Sequence, residues 1–289
     1  MTLQARVEAA LSRALGRSVH VRDQSQLGGG CINEAARIDT DAGTFFLKSN
    51  ATPSAIFSAE AAGLEAMRAA ATSLVIPEVI AFEDPVAGAA GFLVTTYLEP
   101  GRRTADFDEV LGRGLAELHG ATRRTYGFEI DTYCGLTLQP NAATSGWVEF
   151  YREHRLGYQL REGVQAGIYS RGDAKRIERL LSRLDELLVE HPPALIHGDL
   201  WSGNLHADGA RPALIDPAVA YAHPEAELGM MTLFGGFSAR TYDAYAEVRP
   251  LDGWRARNAL YQLYHVMNHA LLFGGGYVGQ AMGIVGRYV

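Results

Sequence analysis

Two cysteines in 289 residues, Cys31 and Cys134, cannot build a disulfide framework, so the chain is expected to work in a reducing compartment. A basic excess is missing too. The 26 lysines and arginines stand against 33 aspartates and glutamates, giving a formal net charge of −7 and a pI near 5.7. Proteins that hold nucleic acid neutralise phosphates with surplus cations, so no nucleic-acid partner is expected. No run approaches the roughly 20 apolar residues of a membrane span, and no membrane partner is expected either. The opening segment MTLQARVEAALSRALG has helical spacing, but Arg6, Glu8 and Arg13 interrupt the apolar stretch that a signal peptide needs. A cytoplasmic location follows as the expectation. The sequence shows neither an internal repeat nor a low-complexity tract.

Apolar material is plentiful. At 47% hydrophobic and 20% charged residues, the chain can fill one large domain or two lobes. After the opening helix, the first hundred residues read as sheet. AARID and TFFLKS flank a short polar segment ending in Gly43, the pattern of a hairpin. A helix over 54–70 follows, then strands over 79–82 and at GFLVTTYL. Glu99, Pro100 and Gly101 make a break. Beyond it the spacing predicts helices over 106–119, 147–164, 174–190 and 254–273. Two short apolar runs, 194–196 and 213–215, read as strands carrying a polar loop. The expected fold class is α+β and bilobal, with a nucleotide-binding lobe over 1–98 and a catalytic, acceptor-binding lobe over 99–289.

The loop between those runs carries the chemistry. It reads His197-Gly198-Asp199-Leu200-Trp201-Ser202-Gly203-Asn204, with Asp216 twelve residues further on. Phosphoryl transfer needs a carboxylate to orient the attacking hydroxyl, an amide oxygen on Mg²⁺, and a second carboxylate for the same metal. Asp199, Asn204 and Asp216 supply that set. A polar loop whose Asp and Asn merely satisfy turn backbones is the plainer reading.

Lys48, the only lysine in the first half of the chain, lies on the strand TFFLKS. Glu60 shares a helical stripe with Ile56, Leu64 and Met67, so it points coreward. A carboxylate there needs a cation, because unpaired burial costs several kcal/mol. A Lys48–Glu60 pair meets that need and could hold the α- and β-phosphates of ATP. Gly28, Gly29 and Gly30 allow backbone to approach phosphate oxygens, although they match no standard phosphate-loop pattern and could equally form a plain turn. Cys31 among those amides is a candidate redox-sensitive thiol or a small half-buried residue. Trp201, inside the catalytic loop, is a candidate wall of the acceptor site. His223, Glu225, His265 and Asn268 are further acceptor candidates, though such residues are more often satisfied core positions.

The segments LGGGCINEA, FFLKSN, AEAAGL, FLVTTYLE, HGDLWSGN, IDPAVAY, PEAELGMMTLFGGF and YQLYHVMNHALLFGGGY, in this order, resemble the fructosamine (ketosamine) kinases. These belong to the aminoglycoside-phosphotransferase branch of the protein-kinase-like fold. The resemblance spans nearly the whole chain. It implies ATP and Mg²⁺ as cofactors and phosphorylation of the third-carbon hydroxyl of a free or protein-bound ketosamine. The phosphorylated adduct then decomposes and frees the amine, which implies repair of glycated amines and proteins.

By residue, the resemblance implies Asp199 as base, Asn204 and Asp216 as Mg²⁺ ligands, and Lys48 with Glu60 as the phosphate-holding pair. Gly28, Gly29, Gly30 and Cys31 match the nucleotide loop, and Thr96, Tyr97, Leu98 and Glu99 the hinge beside adenine. The chain is expected to be a monomer or a homodimer linked by oxidation of Cys31. Residues 222–227 depart from the Gly-His-Arg-Glu-x-Asp of relatives, lacking the arginine and carrying Glu227 in place of aspartate, a difference expected at the acceptor. Asp216 precedes Pro217 instead of Phe-Gly, and no Ala-Pro-Glu follows, which argues against a protein kinase with an activation loop. Two rival readings remain. One is a kinase for an aminoglycoside, choline or homoserine; the other is a nucleotide-binding regulator without turnover.

Overall fold

The computed structural model describes residues 1–28, 33–250 and 252–289. Helix α1 (Leu3–Leu15), capped by the Thr2 hydroxyl, lies against the outer face of a five-stranded antiparallel sheet. The sheet holds β1 (Val21–Leu27), β2 (Glu34–Thr40), β3 (Gly43–Asn50), β4 (Val79–Glu83) and β5 (Gly91–Thr96), in the order β1-β2-β3-β5-β4. Helix α2 (Ile56–Ala69) is embedded between β3 and β4.

Alternation along β3 decides what each face does. Phe45 and Leu47 enter a cluster with Val7, Leu11, Ile38, Phe92 and Val94 beneath α1. The intervening Phe46 and Lys48 therefore face the other way, toward the second lobe. Lys48 pairs in register with Leu93 of β5, the central pairing of the sheet. A one-residue slip would bury Phe46 under α1 and turn Lys48 away from its partners.

The second lobe is mainly helical. It contains α3 (Phe107–Leu118), the ribbon β6 (Thr132–Cys134) and β7 (Thr137–Gln139), and α4 (Trp147–Phe150). From α4 a π-helical stretch (Tyr151–Leu156) runs on into α5 (Gly157–Gln165). The chain continues through α6 (Arg171–Leu181), α7 (Leu184–Leu187), β8 (Ala194–Ile196), β9 (Leu205–Asp208), β10 (Arg211–Leu214) and β11 (Ala220–Ala222). It closes with α8 (Pro224–Leu233), α9 (Ala239–Val248), α10 (Trp254–Phe273) and α11 (Gly276–Val285). Among the described residues, no helix is long and apolar enough to cross a membrane.

One expectation needs correction here. The segment 174–190 is not one helix: α6 starts earlier, at a capping box between Ser170 and Asp173, and the chain breaks after Leu181 before α7. The two apolar runs beside the polar loop are strands, as expected: β8 pairs with β11, and β10 pairs with β9.

A shared core joins the lobes. Phe57, Leu64 and Met67 of α2 pack in one cluster with Leu111 and Leu115 of α3, Leu195, Leu200 and Leu214. Each such burial is worth about 1.5–3 kcal/mol. The backbone adds a second joint, where Val75 N–H donates to Pro212 C=O at 2.9 Å and Leu214 N–H donates to Val75 C=O at 3.0 Å. Gly101 seats the connecting segment against the β9–β10 turn so closely that a Cβ there would stand 1.7 Å from the Gly209 oxygen.

Candidate active site

The cleft between the lobes contains a cavity of about 250 Å³. Leu27, Phe46, Leu64, Leu93, Leu98 and Ile215 give it apolar walls, while Glu60 and Asp216 close one end. Thr96, Tyr97 and Leu98 line its edge. Thr96 N–H donates to Glu78 C=O, and Glu99 N–H donates to the Asp208 carboxylate. Among the described residues, no hydrogen bond occupies the Leu98 backbone. A flat heterocycle slotted between these walls would meet that free backbone edge, as the sequence expectation for residues 96–99 requires. Gly28 also lines the cavity, whereas Gly29, Gly30 and Cys31 lie outside the described residues.

At the polar end, the Lys48 ammonium donates to Glu60 Oε1 at 2.6 Å and to Asp216 Oδ1 at 2.6 Å. Lys48 is 4% exposed. Burial lowers its affinity for the proton, but Asp216 and Glu60 outweigh burial and hold the amine charged above its ordinary range. Glu60 feels the converse: burial, joined by the Asp216 charge, raises its carboxyl against the pull of Lys48. One cation thus serves two carboxylates. Asp216 stands at φ 55°, in the left-handed region that aspartate tolerates better than most residues, and its side chain is 41% exposed toward the cleft. Lys48 and that backbone turn together fix where the carboxylate points.

Asp199 sits on the loop after β8, half-buried. Burial, with like charge from Asp216 and Glu227, pushes its carboxyl well above the usual carboxylate range. The Asn204 amide nitrogen donates to the Asp199 carbonyl at 2.9 Å, which leaves the amide oxygen for another partner. Trp201 N–H donates to the same carbonyl at 3.1 Å, so Asp199 and Asn204 are tied across one short turn. The Trp201 indole folds over Gly203, where a Cβ would meet the ring at 2.2 Å, and remains 38% exposed.

The loop is anchored from behind by a residue that sequence reasoning assigned to the wrong task. Glu227, expected to mark a difference at the acceptor, is fully buried on α8. It accepts from His197 N–H at 2.5 Å and from Gly198 N–H at 3.2 Å. Burial opposes its ionisation, yet His119, His197 and the backbone donor outweigh burial and hold the carboxyl below its usual range. His197 is neutral because burial dominates its environment. Its Nδ1 accepts from Asp199 N–H at 3.2 Å, which leaves Nε2–H to donate to Ile215 C=O at 2.8 Å. The imidazole therefore spans from the Asp199 backbone to the residue before Asp216. Gly198, at φ 82°, packs so tightly that a Cβ would lie 2.1 Å from the Ala218 oxygen.

The remaining acceptor candidates divide. The structure does not bring His223 and Glu225 to the cleft. His223 Nδ1 caps α8 through Glu225 N–H at 3.1 Å, and Glu225 pairs with Arg257; His223 and Glu225 are each 1% exposed. Pairing an acidic first turn with a cation from α10 satisfies the helix terminus, so these two side chains knit α8 to α10. His265 does approach Asp199: its ring nitrogen, an Asp199 carboxylate oxygen and Cys134 Sγ lie within 4.8 Å of one another. Asn268, one turn further along α10, donates to the Cys134 carbonyl at 3.1 Å. The apolar cavity walls were readable in principle from the alternation of β3 and β5, but no sequence signal marked Cys134 as a neighbour of Asp199.

The family model for fructosamine kinase matches residues 3–289. The chain belongs to the fructosamine kinase family. It is similar to the chloroplastic protein-ribulosamine 3-kinase of Arabidopsis thaliana, 40% identical over 283 residues, covering 95% of this chain and 85% of the relative. A solved Thermobifida fusca structure assigned to the fructosamine-3-kinases is 33% identical, with a TM-score of 0.85 over 96% of both chains. An aminoglycoside phosphotransferase solved with AMP-PNP and hygromycin B has a TM-score of 0.64 at 18% identity, over 98% of both chains, and so shares the fold. The two lobes are those of the protein-kinase-like fold.

Proposed function

We propose that this fructosamine kinase family member transfers the γ-phosphoryl group of ATP to the third-carbon hydroxyl of ketosamines, with Asp199 as the base. The observation that carries the reading is the meeting of Lys48 with Asp216 across the lobes, beside a loop on which Asp199 and Asn204 are tied together. The acceptor class rests on family membership and on the ribulosamine kinase named above. Residues 1–98 bind the nucleotide, and residues 99–289 supply the base and the acceptor site.

Each residue has a task that its surroundings support. The cavity walls hold the adenine, and the Leu98 backbone reads its edge. Lys48, kept charged by its two carboxylates, takes the phosphate oxygens. The residues present fit Mg²⁺: the Asn204 amide oxygen is left free by its nitrogen's bond, and the Asp216 carboxylate opens to the cleft. These two would hold the ion, which neutralises charge on the phosphates. Asp199 orients the acceptor hydroxyl and takes its proton as that oxygen bonds to phosphorus, while ADP departs. Trp201 walls the sugar, and His265 with Asn268 approach it from α10. Positioning supplies much of the rate.

The phosphorylated ketosamine then breaks down and releases its amine, which makes the role one of deglycation. The chain acts in the cytoplasm, as a monomer or as a homodimer joined through Cys31 on oxidation.

An ATP-consumption assay with ribuloselysine, kanamycin, choline and homoserine tests the reading. Turnover is expected with ribuloselysine alone. Turnover confined to another acceptor, or nucleotide binding without transfer to any of them, would replace the ketosamine assignment.

A further inference from the structure

Beside the base lies a set of side chains that phosphoryl transfer does not explain. We propose that Cys134, Asp199 and His265 form a site for a soft divalent cation, Zn²⁺ in particular, whose occupancy switches the enzyme off.

The three residues come from separate elements: the end of β6, the loop after β8 and the middle of α10. Their sulfur, carboxylate oxygen and ring nitrogen all lie within 4.8 Å of one another, the only such cluster among the described residues. Three protein ligands of S, O and N type, with a fourth position open, is an arrangement zinc adopts; at bond lengths of about 2.0–2.3 Å its ligands stand roughly 3.5 Å apart. Closing the cluster therefore asks for side-chain shifts of about an ångström, within reach of rotamer adjustment.

A second observation points to a ligand. His265 is 3% exposed, and its Nδ1 is buried with no hydrogen-bond partner. An unpaired buried ring nitrogen is destabilising, and a cation bound to it would supply the missing partner. Burial also holds His265 neutral, the form that ligates. Cys134 is a free, buried thiol, and Asn268 donates to its carbonyl. Asp199, the least buried of the three, opens the cluster to the cleft.

Binding deprotonates Cys134 as the S–Zn bond forms, and the proton leaves to solvent. Mg²⁺ prefers an all-oxygen octahedral shell, so ligand softness separates this site from Asn204 and Asp216. Loss of activity on occupancy rests on the reading of Asp199 as the base. The site itself does not.

Titration of the full chain with Co²⁺ tests the site, in a Cys31→Ser background where Cys134 is the one thiol left. The expected result is a thiolate-to-cobalt charge-transfer band that Zn²⁺ abolishes. Adding Cys134→Ser should remove the band and weaken metal affinity at least about tenfold. X-ray absorption of the zinc-loaded chain in the Cys31→Ser background should report one sulfur ligand, which keeps the test decisive even where Cys134→Ser misfolds. A band that survives Cys134→Ser, or zinc with no sulfur ligand, would overturn the site. With excess Mg²⁺ present, Zn²⁺ should inhibit turnover reversibly. A confirmed sulfur-bound site whose occupancy leaves turnover untouched would retain the metal site but refute the switch, and with it the role of Asp199.

Discussion

Lys48 carries one positive charge and touches two carboxylates. Its replacement by methionine keeps the volume but leaves Glu60 and Asp216 facing each other without a cation, and breaking a buried pair in this way typically costs 3–5 kcal/mol, about the upper bound here because Asp216 is partly solvated. Lys48→Met should therefore lower the melting temperature and raise the KM for ATP, measurable by calorimetry and steady-state kinetics. Asp199→Asn is the contrasting case. The amide can fill the carboxylate's place but cannot accept the proton, so turnover should drop on the order of 10²–10⁴ while nucleotide affinity stays. Unchanged turnover would remove the base assignment. Both residues were legible in the sequence because each is chemically conspicuous: a solitary lysine on a strand, and an Asp spaced from Asn on a glycine-marked loop. Glu227 was visible too, but its task was not. Nothing in a linear sequence says that a helix thirty residues downstream turns its carboxylate onto the His197 and Gly198 amides.

Elements explain why that carboxylate matters. α8 is clamped at its start by the His223 cap and the Glu225–Arg257 pair, so Glu227 in its first turn is held rigidly beneath the loop. Glu227→Ala should leave two buried amides unpaired, costing about 1–3 kcal/mol each. It should also slacken the base by a fraction of an ångström to an ångström, enough for a loss of turnover on the order of 10². Glu227→Gln should recover part of both effects, since one acceptor oxygen remains, and kinetics on the pair of variants separates packing from positioning. Gly101 acts on the connection between the lobes. A Cβ there collides with backbone of the β9–β10 turn, so Gly101→Ala should cost about 1–3 kcal/mol and disturb the adenine edge beside it, read as a raised KM for ATP. At this scale the sequence served well where periodicity ran long and unbroken, as in α10, read at its full extent. It served less well at the two apolar runs beside the catalytic loop, because strands of three and four residues carry no periodicity that could name their partners.

Across the whole molecule, buried histidines set the response to acid. His119, His197, His223 and His265 are all held below their ordinary range, chiefly by burial. The folded state keeps them neutral while the unfolded chain protonates them near pH 6.5, so unfolding takes up protons as the pH falls. The stability they contribute is complete above about pH 6.5 and declines below it. Glu227, also depressed, adds to the loss at lower pH, whereas the raised carboxyls of Asp199 and Glu60 work in the opposite sense. Within the histidine range the four rings outweigh the two raised carboxyls, so urea midpoints should fall between about pH 6.5 and 5. A midpoint constant across that window would mean that these rings are not held neutral.

The two-lobed plan was legible from the change in periodicity at residues 99–101, because sheet and helix repeat so differently. The core shared between α2 and the second lobe was not, since its members are far apart in the chain and apolar in the same way as any other core. The central claim joins both lobes in one reaction. Phosphorus NMR with proton correlation, on the product formed from ribuloselysine and ATP, reports the acceptor and the position together. The expected product is a single phosphomonoester coupled to the proton on the third carbon, formed by the native chain and lost in Asp199→Asn. A phosphoryl group on another hydroxyl, or the same product formed at the native rate by Asp199→Asn, would contradict it.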